Sequence, residues 1–337
     1  MKRIMYAILS ILDKRQGHAC SSDIASDLAG QGIAISERTA RYYLKMLDEE
    51  GLTVNSTKRS RMITEKGRRE LRQGFVSDRV GFIISKINNL SVLMDFNPET
   101  VKGKVILNIT YFPEDKVTEA LDVLEYTFSS PYALSDRVVI AQSNELLGDV
   151  KVPAGLIGVG TVCSITFSGV FLKSGIPVFP RFGGIVEIEN KKPVRFNTFI
   201  SYDSSSVAPL EIFIKSRMTE ILPALDTGNG NILGSFREIP ENCVLDAKRL
   251  IHKLTKCGFK DTIIFGKPGN PLLGIPVAVG RVGLVVLGGL NPNAALEEAG
   301  LSRDIQAMAT LYEYMDLKPI HEYRKQYPLR YARGAML

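Results

Sequence analysis

Met5, Ile8, Leu9 and Leu12 recur three and four positions apart, which predicts an amphipathic helix over residues 2 to 14, stopped by Gly17. A second helix opens at Ser21 or Ser22 as cap and carries Ile24, Ala25 and Leu28 on one face, ending in the glycine-containing segment Ala29 to Gly32. Ser36 is placed to cap a third helix running through Glu50, with Ala40, Leu44 and Leu47 inward and Arg38, Arg41, Tyr42 and Lys45 on another face. Gly51 ends it. Leu52 to Asn55 and Arg61 to Thr64 then read as two short strands around the loop 56 to 60, and a further basic helix starts at Thr64. Helix, helix, exposed basic helix and basic hairpin is the order of a winged helix-turn-helix.

Beyond this head, Ile83, Ile84, Ile87, Leu90 and Met94 keep helical spacing within residues 76 to 95. Such a helix joins head to body, pairs with a second copy, or packs on its own domain. From Gly103 onward strand-like and helix-like patterns alternate, and the chain echoes itself weakly. Ile106-Leu107 leads to Pro113-Glu114 and a helix with Ala120 and Leu121; Ile232-Leu233 leads to Pro240-Glu241 and a helix with Ala247 and Leu250. Gly175-Ile176-Pro177-Val178 before Gly184-Ile185-Val186 has its own parallel in Gly274-Ile275-Pro276-Val277 before Gly283-Leu284-Val285. The expected class is therefore α/β (α+β): a winged helix-turn-helix at 1–74, a connector helix at 75–102 and a two-part α/β body at 103–337 with internal duplication. A cleft between two such halves is a natural place for a small ligand.

Charge sharpens the contrast between the parts. Residues 1–74 hold 14 Lys and Arg against 9 Asp and Glu, leaving 28 against 27 in the rest of a chain whose net charge is +6. A polyanion-binding head on a near-neutral body follows. Apolar runs such as Val282 to Leu287 are too short for a membrane span, and no secretory signal opens the chain, so a cytoplasmic location is expected. Four scattered cysteines and three histidines form neither a disulfide framework nor a zinc-ligand spacing.

The candidate partner of the head is double-stranded DNA. A helix fits the major groove, where Ser36, Arg38, Thr39, Arg41, Tyr42 and Lys45 would meet base edges or phosphate, and Lys58, Arg59 and Arg61 of the wing would grip phosphate or the minor groove. A solvated surface helix, or one contacting protein or RNA, is the alternative. In the body, Val159 to Thr166 and Pro180-Arg181-Phe182-Gly183-Gly184 combine small residues, hydroxyls and a cation, a composition suited to anions. Arg281 and the segment Gly288 to Asn293, at a helix start, offer the same chemistry in the second half. Glycines that serve only turns and bulges are the plainer reading of each. Cys163 has no evident histidine base, and neither a P-loop nor a dinucleotide fingerprint is present, so catalysis has little support.

Several of these stretches, taken in order, carry a family resemblance: Gly160-Thr161-Val162-Cys163-Ser164, Gly175-Ile176-Pro177-Val178, Phe182-Gly183-Gly184, Gly228-Asn229-Gly230 with Phe236-Arg237-Glu238-Ile239-Pro240, and Gly288-Gly289-Leu290-Asn291-Pro292. With them the body resembles the regulatory domain of NrpR, the nitrogen regulatory repressor of methanogenic archaea. The resemblance implies a non-enzymatic repressor of nitrogen-assimilation genes that binds its operator as a dimer and releases it when 2-oxoglutarate binds. It implies no other cofactor and no membrane. Some members carry two regulatory domains behind one winged helix and this chain has one, so a higher homo-oligomer or a related regulatory-domain protein could complete the unit.

A dicarboxylic keto acid needs two cationic or N–H-rich grips and a donor for its ketone. Thr161, Cys163, Ser164, Thr166, Arg181, Gly183, Gly184 and Asn291 are the candidate contacts. Two other classes stay open: an enzyme domain acting on a small metabolite behind a DNA-binding head, and a scaffold whose body only mediates assembly.

Overall fold

The computed structural model describes residues 2–15, 19–30, 35–56, 60–73 and 81–327, which form two compact units, 1–80 and 81–337. In the first, α1 (Lys2–Lys14), α2 (Ser21–Gly30) and α3 (Glu37–Glu49) bury Met5, Ile8, Leu9, Leu12, Ile24, Leu28, Ala40, Leu44 and Leu47 in one core. The Ser36 hydroxyl caps α3 by accepting from the Thr39 amide at 3.1 Å, satisfying one of the N–H groups that a helix start leaves free. Gly51, at φ 70°, takes the left-handed turn after α3 that a side chain would resist. Strands β1 (Ala19–Cys20), β2 (Thr53–Asn55) and β3 (Ser60–Ile63) make an antiparallel sheet in the order β1-β3-β2, and Thr64 caps α4 (Glu65–Gln73) by accepting from the Gly67 amide at 2.9 Å. These are the predicted elements of a winged helix. Gly17, Gly32, Lys58 and Arg59 lie outside the described residues, as do positions 76–80 of the expected connector.

The second unit opens with α5 (Phe82–Leu93), which buries Ile83, Ile87 and Ser91 and packs on α7 (Ile165–Lys173) of the same unit. The chain then runs β4 (Lys104–Pro113), a 3-10 turn, α6 (Val117–Phe128), β5 (Arg137–Ala141), the small hairpin β6 (Leu146–Leu147) and β7 (Val150–Lys151), β8 (Leu156–Val162), α7 and β9 (Phe179–Glu189). After β10 (Lys192–Ser201), α8 (Pro209–Lys215) and α9 (Ile221–Thr227), the order repeats. It runs β11 (Gly230–Pro240), a 3-10 turn, α10 (Val244–Lys256), β12 (Ile263–Phe265), β13 (Arg281–Leu287), α11 (Asn291–Glu298) and β14 (Asp304–Glu313). The chain closes with β15 (Lys318–Pro319) and α12 (Ile320–Tyr323).

The repeat is exchanged between its own halves. One antiparallel sheet has the order β14-β4-β8-β5-β15 and the other β10-β9-β11-β13-β12. Each half thus supplies its first three strands to one sheet and its last strand to the other. α11 follows β14 across, packing beside α6 on the first half's sheet. The interior strands β4 and β11 are buried almost end to end, their polar residues Asn108, Thr110, Ser235, Arg237 and Glu238 included. A core of residues from both sheets unites the unit.

One echo in the sequence reports this duplication and the other does not. Pro113 and Pro240 end β4 and β11 at equivalent places. The Gly-Ile-Pro-Val segments instead precede β9 and β13, which are not equivalent in the repeat but are the two neighbours of β11 in one sheet. Their likeness reflects a shared partner strand.

Candidate nucleic-acid interface and ligand cavity

α3 presents Arg38, Arg41, Tyr42 and Lys45 to solvent while its opposite face fills the core, so the helix offers the outward basic stripe its spacing predicts. Tyr42 is 58% exposed, an aromatic ring held on the surface beside Tyr43, with ring centroids 5.6 Å apart. Arg41 donates to Glu37 one turn earlier at 2.6 Å, and Lys45 lies 3.8 Å from Glu49. Both pairs are solvated, so the cations stay available to a stronger anion. Arg61 departs from its expected role in the wing. Its guanidinium turns inward to Asp48 at 2.7 Å with only 20% of the side chain exposed, and Asp48 also accepts from Thr53 at 2.6 Å. Arg61 therefore locks the wing to the end of α3.

In the second unit a small cavity of about 30 Å³ lies where α7 and α11 begin, lined by Cys163, Ser164, Ile165, Gly289 and Leu290, with Asn108, Ile87, Tyr202, Leu210, Ala307 and Met308 completing the wall. It has room for about two waters and lies far below the size of ligand pockets, so any organic occupant needs α8, which carries Leu210, to move away. The far wall is a bulge in β14. Pairing with β4 slips between Gln306 and Thr310, and Met308 sits at φ 53°. With their strand partners lost, the bulge's backbone groups are taken up by side chains. Ala307 N–H donates to Glu211 at 2.5 Å, Met308 N–H to Asn108 at 3.0 Å, and Lys86 donates to the Ala307 carbonyl at 3.2 Å. Asn108 also donates to the Gly289 carbonyl at 2.7 Å, joining the two halves across the cavity.

Of the candidate effector contacts, Cys163 and Ser164 line this space and Gly183 approaches it, since a β-carbon there would stand 3.0 Å from the Tyr202 hydroxyl. The others are committed elsewhere. Thr161 donates to Asn293 at 3.0 Å, and Thr166 accepts from the Ile106 amide at 3.2 Å. Gly184 lies in mid-strand against the Thr198 carbonyl. Asn291 accepts from the Leu233 amide at 2.9 Å and donates to the Tyr132 carbonyl at 3.0 Å, a fully buried tie between the halves. Arg181 is half exposed and pairs with Glu238, 3.4 Å away, as does Arg281 at 2.9 Å.

Lys86, Asn108, Tyr202, Glu211 and Arg237 escaped the sequence reading. Only Arg237 left a signal, a charge beside Glu238 within the strand-like segment Ile232 to Ile239. Burial pushes Cys163 and Tyr202 up and Arg237 and Lys86 down from their ordinary values, and it raises Glu211. A thiol held protonated in this way is a poor nucleophile. No helix among the described residues is long and apolar enough to cross a membrane.

Comparison with known proteins places both units. Residues 80–319 match the model of the NrpR regulatory domains NRD1 and 2, and residues 6–71 match a ribonuclease R winged-helix domain. The chain is 37% identical over 320 residues to the global nitrogen regulator NrpRI of Methanosarcina mazei, covering 95% of this chain and 98% of that protein. It is 32% identical to the global nitrogen regulator NrpR of Methanococcus maripaludis, covering 92% of this chain but 54% of that longer protein. A crystal structure of a nitrogen repressor-like protein from Methanococcus jannaschii superposes with a TM-score of 0.58 at 29% identity, covering 71% of this chain and 98% of the other. With 240 of its residues matched by the regulatory-domain model and a close relative matched end to end, the chain belongs to the NrpR family.

Proposed function

We propose that this chain is a cytoplasmic transcriptional repressor of nitrogen-assimilation genes, holding operator DNA as a dimer through α3 and the wing and releasing it when 2-oxoglutarate enters the cavity at Cys163 and Ser164. The observation that carries this reading is the joining, in one chain, of an outward basic helix on a winged-helix unit to an NrpR regulatory domain. Relatives that share this layout along most of the chain are named global nitrogen regulators. In a dimer each α3 would enter one half-site, and the symmetry of the regulatory units would set the half-site spacing. The ligand can release DNA only if it binds the DNA-incompetent arrangement more tightly, because equal affinity for both arrangements shifts nothing.

The test is a gel shift with operator DNA, with and without 2-oxoglutarate, alongside a measurement of ligand consumption. Loss of the shifted band with the ligand intact supports the repressor. A shift that 2-oxoglutarate leaves unchanged removes the effector from this account, and consumption of the ligand makes the body an enzyme.

A further inference from the structure

The two helices that the repeat makes equivalent carry opposite charge. Pro113 and Pro240 end equivalent strands, and the same number of residues beyond them Asp122 on α6 stands where Arg249 stands on α10, Glu125 where His252 stands and Tyr126 where Lys253 stands. From Glu114 to Phe128 there are five acids and one lysine, whereas from Glu241 to Lys256 there are four lysines and arginines and two acids. The buried faces are alike. α6 buries Ala120, Leu121 and Leu124, and α10 buries Ala247, Ile251 and Leu254. The repeat thus keeps the side that packs and reverses the charge of the side that faces water.

The outward stripes also match in spacing. On α10, Leu245, Arg249, His252 and Lys256 follow one another at steps of four, three and four residues on the side opposite the buried one, and all are exposed. On α6 and the turn leading into it, Tyr126, Asp122, Glu119 and Asp115 follow at the same steps in the reverse direction, and all are exposed. Laid antiparallel, the two stripes put Leu245 on Tyr126, Arg249 on Asp122, His252 on Glu119 and Lys256 on Asp115, with Lys253 flanking Glu119. One end of each stripe is apolar, with Leu245 69% and Tyr126 43% exposed. Within the chain Arg249 pairs with Asp246, Lys253 with Glu99 and Glu119 with Lys116, all well solvated, and Asp122 is shared with Arg324. Solvated pairs of this kind hold their partners weakly and leave the charges available to others.

We infer that α6 of one chain docks antiparallel on α10 of a second copy, so that the acidic stripe of each meets the basic stripe of the other. A second copy is the occupant the charges select, because one chain carries both complementary stripes and a two-fold pair makes the contact twice. The charges fix partner and register, while Leu245 on Tyr126 adds apolar burial. The inference rests on the dimer of the proposed function and gives it an interface, and it needs neither DNA nor 2-oxoglutarate.

Sedimentation equilibrium on the full chain at low and high salt tests this. The α10 variant carries Lys253→Glu with Lys256→Glu and the α6 variant Asp115→Lys with Glu119→Lys, each checked for folding by circular dichroism. Asp122 is left in place because Arg324 holds it. The wild type is expected to associate, and less tightly as salt rises. Each variant alone opposes like charges and should raise the dissociation constant by about tenfold or more. A one-to-one mixture of the two should recover the wild-type constant, because reversed helix then meets reversed and native meets native. Mixing would not mend damage to folding. If one variant does not fold, the single substitutions Lys256→Glu and Asp115→Lys, alone and mixed, decide. Unchanged association in the variants, a monomeric wild type, or a mixture no tighter than its parts overturns the inference. Weaker DNA binding by the α10 variant with its association unchanged would make α10 a second phosphate-binding surface and overturn it as well. Association through these helices in a chain that does not bind operator DNA leaves the interface standing and removes the repressor.

Discussion

Asp48, in the last turn of α3, accepts from Arg61 of β3 at 2.7 Å, and the pair fixes the wing against the helix that carries the outward basic stripe. With side chains 23% and 20% exposed, the pair is sheltered enough to contribute about 1 kcal/mol. Asp48→Ala and Arg61→Ala should each lower the melting temperature of the head, and the double variant should lose less than the sum. Additive losses in a double-mutant cycle would show that the two side chains act separately and return Arg61 to the pool of phosphate contacts.

Arg41 and Glu37 set up a second test. The Glu37 carboxylate, held below its usual range chiefly by its hydrogen bond from Arg41, places a negative charge on the outward basic stripe of α3. Glu37→Gln should strengthen binding to all DNA and steepen its salt dependence, whereas Arg41→Ala should relax preference among operator sequences by roughly tenfold. Quantitative gel shifts at several salt concentrations on operator and unrelated DNA separate the two. Identical effects of both variants on unrelated DNA would contradict the assignment of Arg41 to base reading.

Asn293 ties α11 to the sheet of the other half by accepting from Thr161 and donating to Thr110 at 2.7 Å. Asn293→Leu leaves two buried hydroxyls without these partners, at a cost of about 2–4 kcal/mol. Urea denaturation should show that loss in the regulatory unit, and Asn291→Ala should behave similarly. A variant of full stability but reduced effector affinity would instead make these asparagines ligand contacts.

Gly169 on α7 faces Met94 so closely that a β-carbon would lie 2.0 Å from its sulfur and 3.1 Å from the Ser91 carbonyl. Gly169→Ala should push α5 off α7 and destabilise the regulatory unit by about 1–3 kcal/mol. Met94→Ala in the same chain should recover part of the loss. No recovery would place the strain elsewhere.

The pH dependence of stability carries the mark of Glu211, whose pKa burial raises above its unfolded value. Between the two values the folded state holds a proton that the unfolded state has released. The contribution of Glu211 is therefore full below the ordinary glutamate range and is lost as pH rises towards the folded value. The stability of wild type minus that of Glu211→Gln, from urea melts across pH, should fall through that window and level off above it. A difference that rises with pH would mean the carboxylate is stabilised by Lys86 and the Ala307 amide more than burial penalises it.

The head was legible because local rules suffice for it. Helical spacing separates Ala40, Leu44 and Leu47 from Arg38, Arg41, Tyr42 and Lys45 without knowledge of any partner, and Ser36 announces the helix start. The pairing of Arg61 was not legible, because a charge in a basic hairpin looks the same whether or not an aspartate 13 residues earlier meets it. In the body, the repeated Pro-acidic helix starts showed two related halves, and of the candidate effector contacts Cys163 and Ser164 line the cavity at the start of α7. Arg181 was drawn away by Glu238, which is 57 residues distant along the chain.

By itself, then, the sequence determined the winged helix with its outward basic stripe, the strand-helix repeat of the body and the membership that its ordered motifs announce. Those depend on periodicity, caps and turns, which act over a few residues. Only the tertiary structure decided that the halves exchange their last strands, that Arg61 pairs with Asp48, that Arg237 is buried against Ser164, and that Lys86 reaches the Ala307 carbonyl. Such pairings join residues from 13 to more than 200 positions apart. They arise from which surfaces pack and which buried polar groups must be satisfied, and no local pattern records that choice.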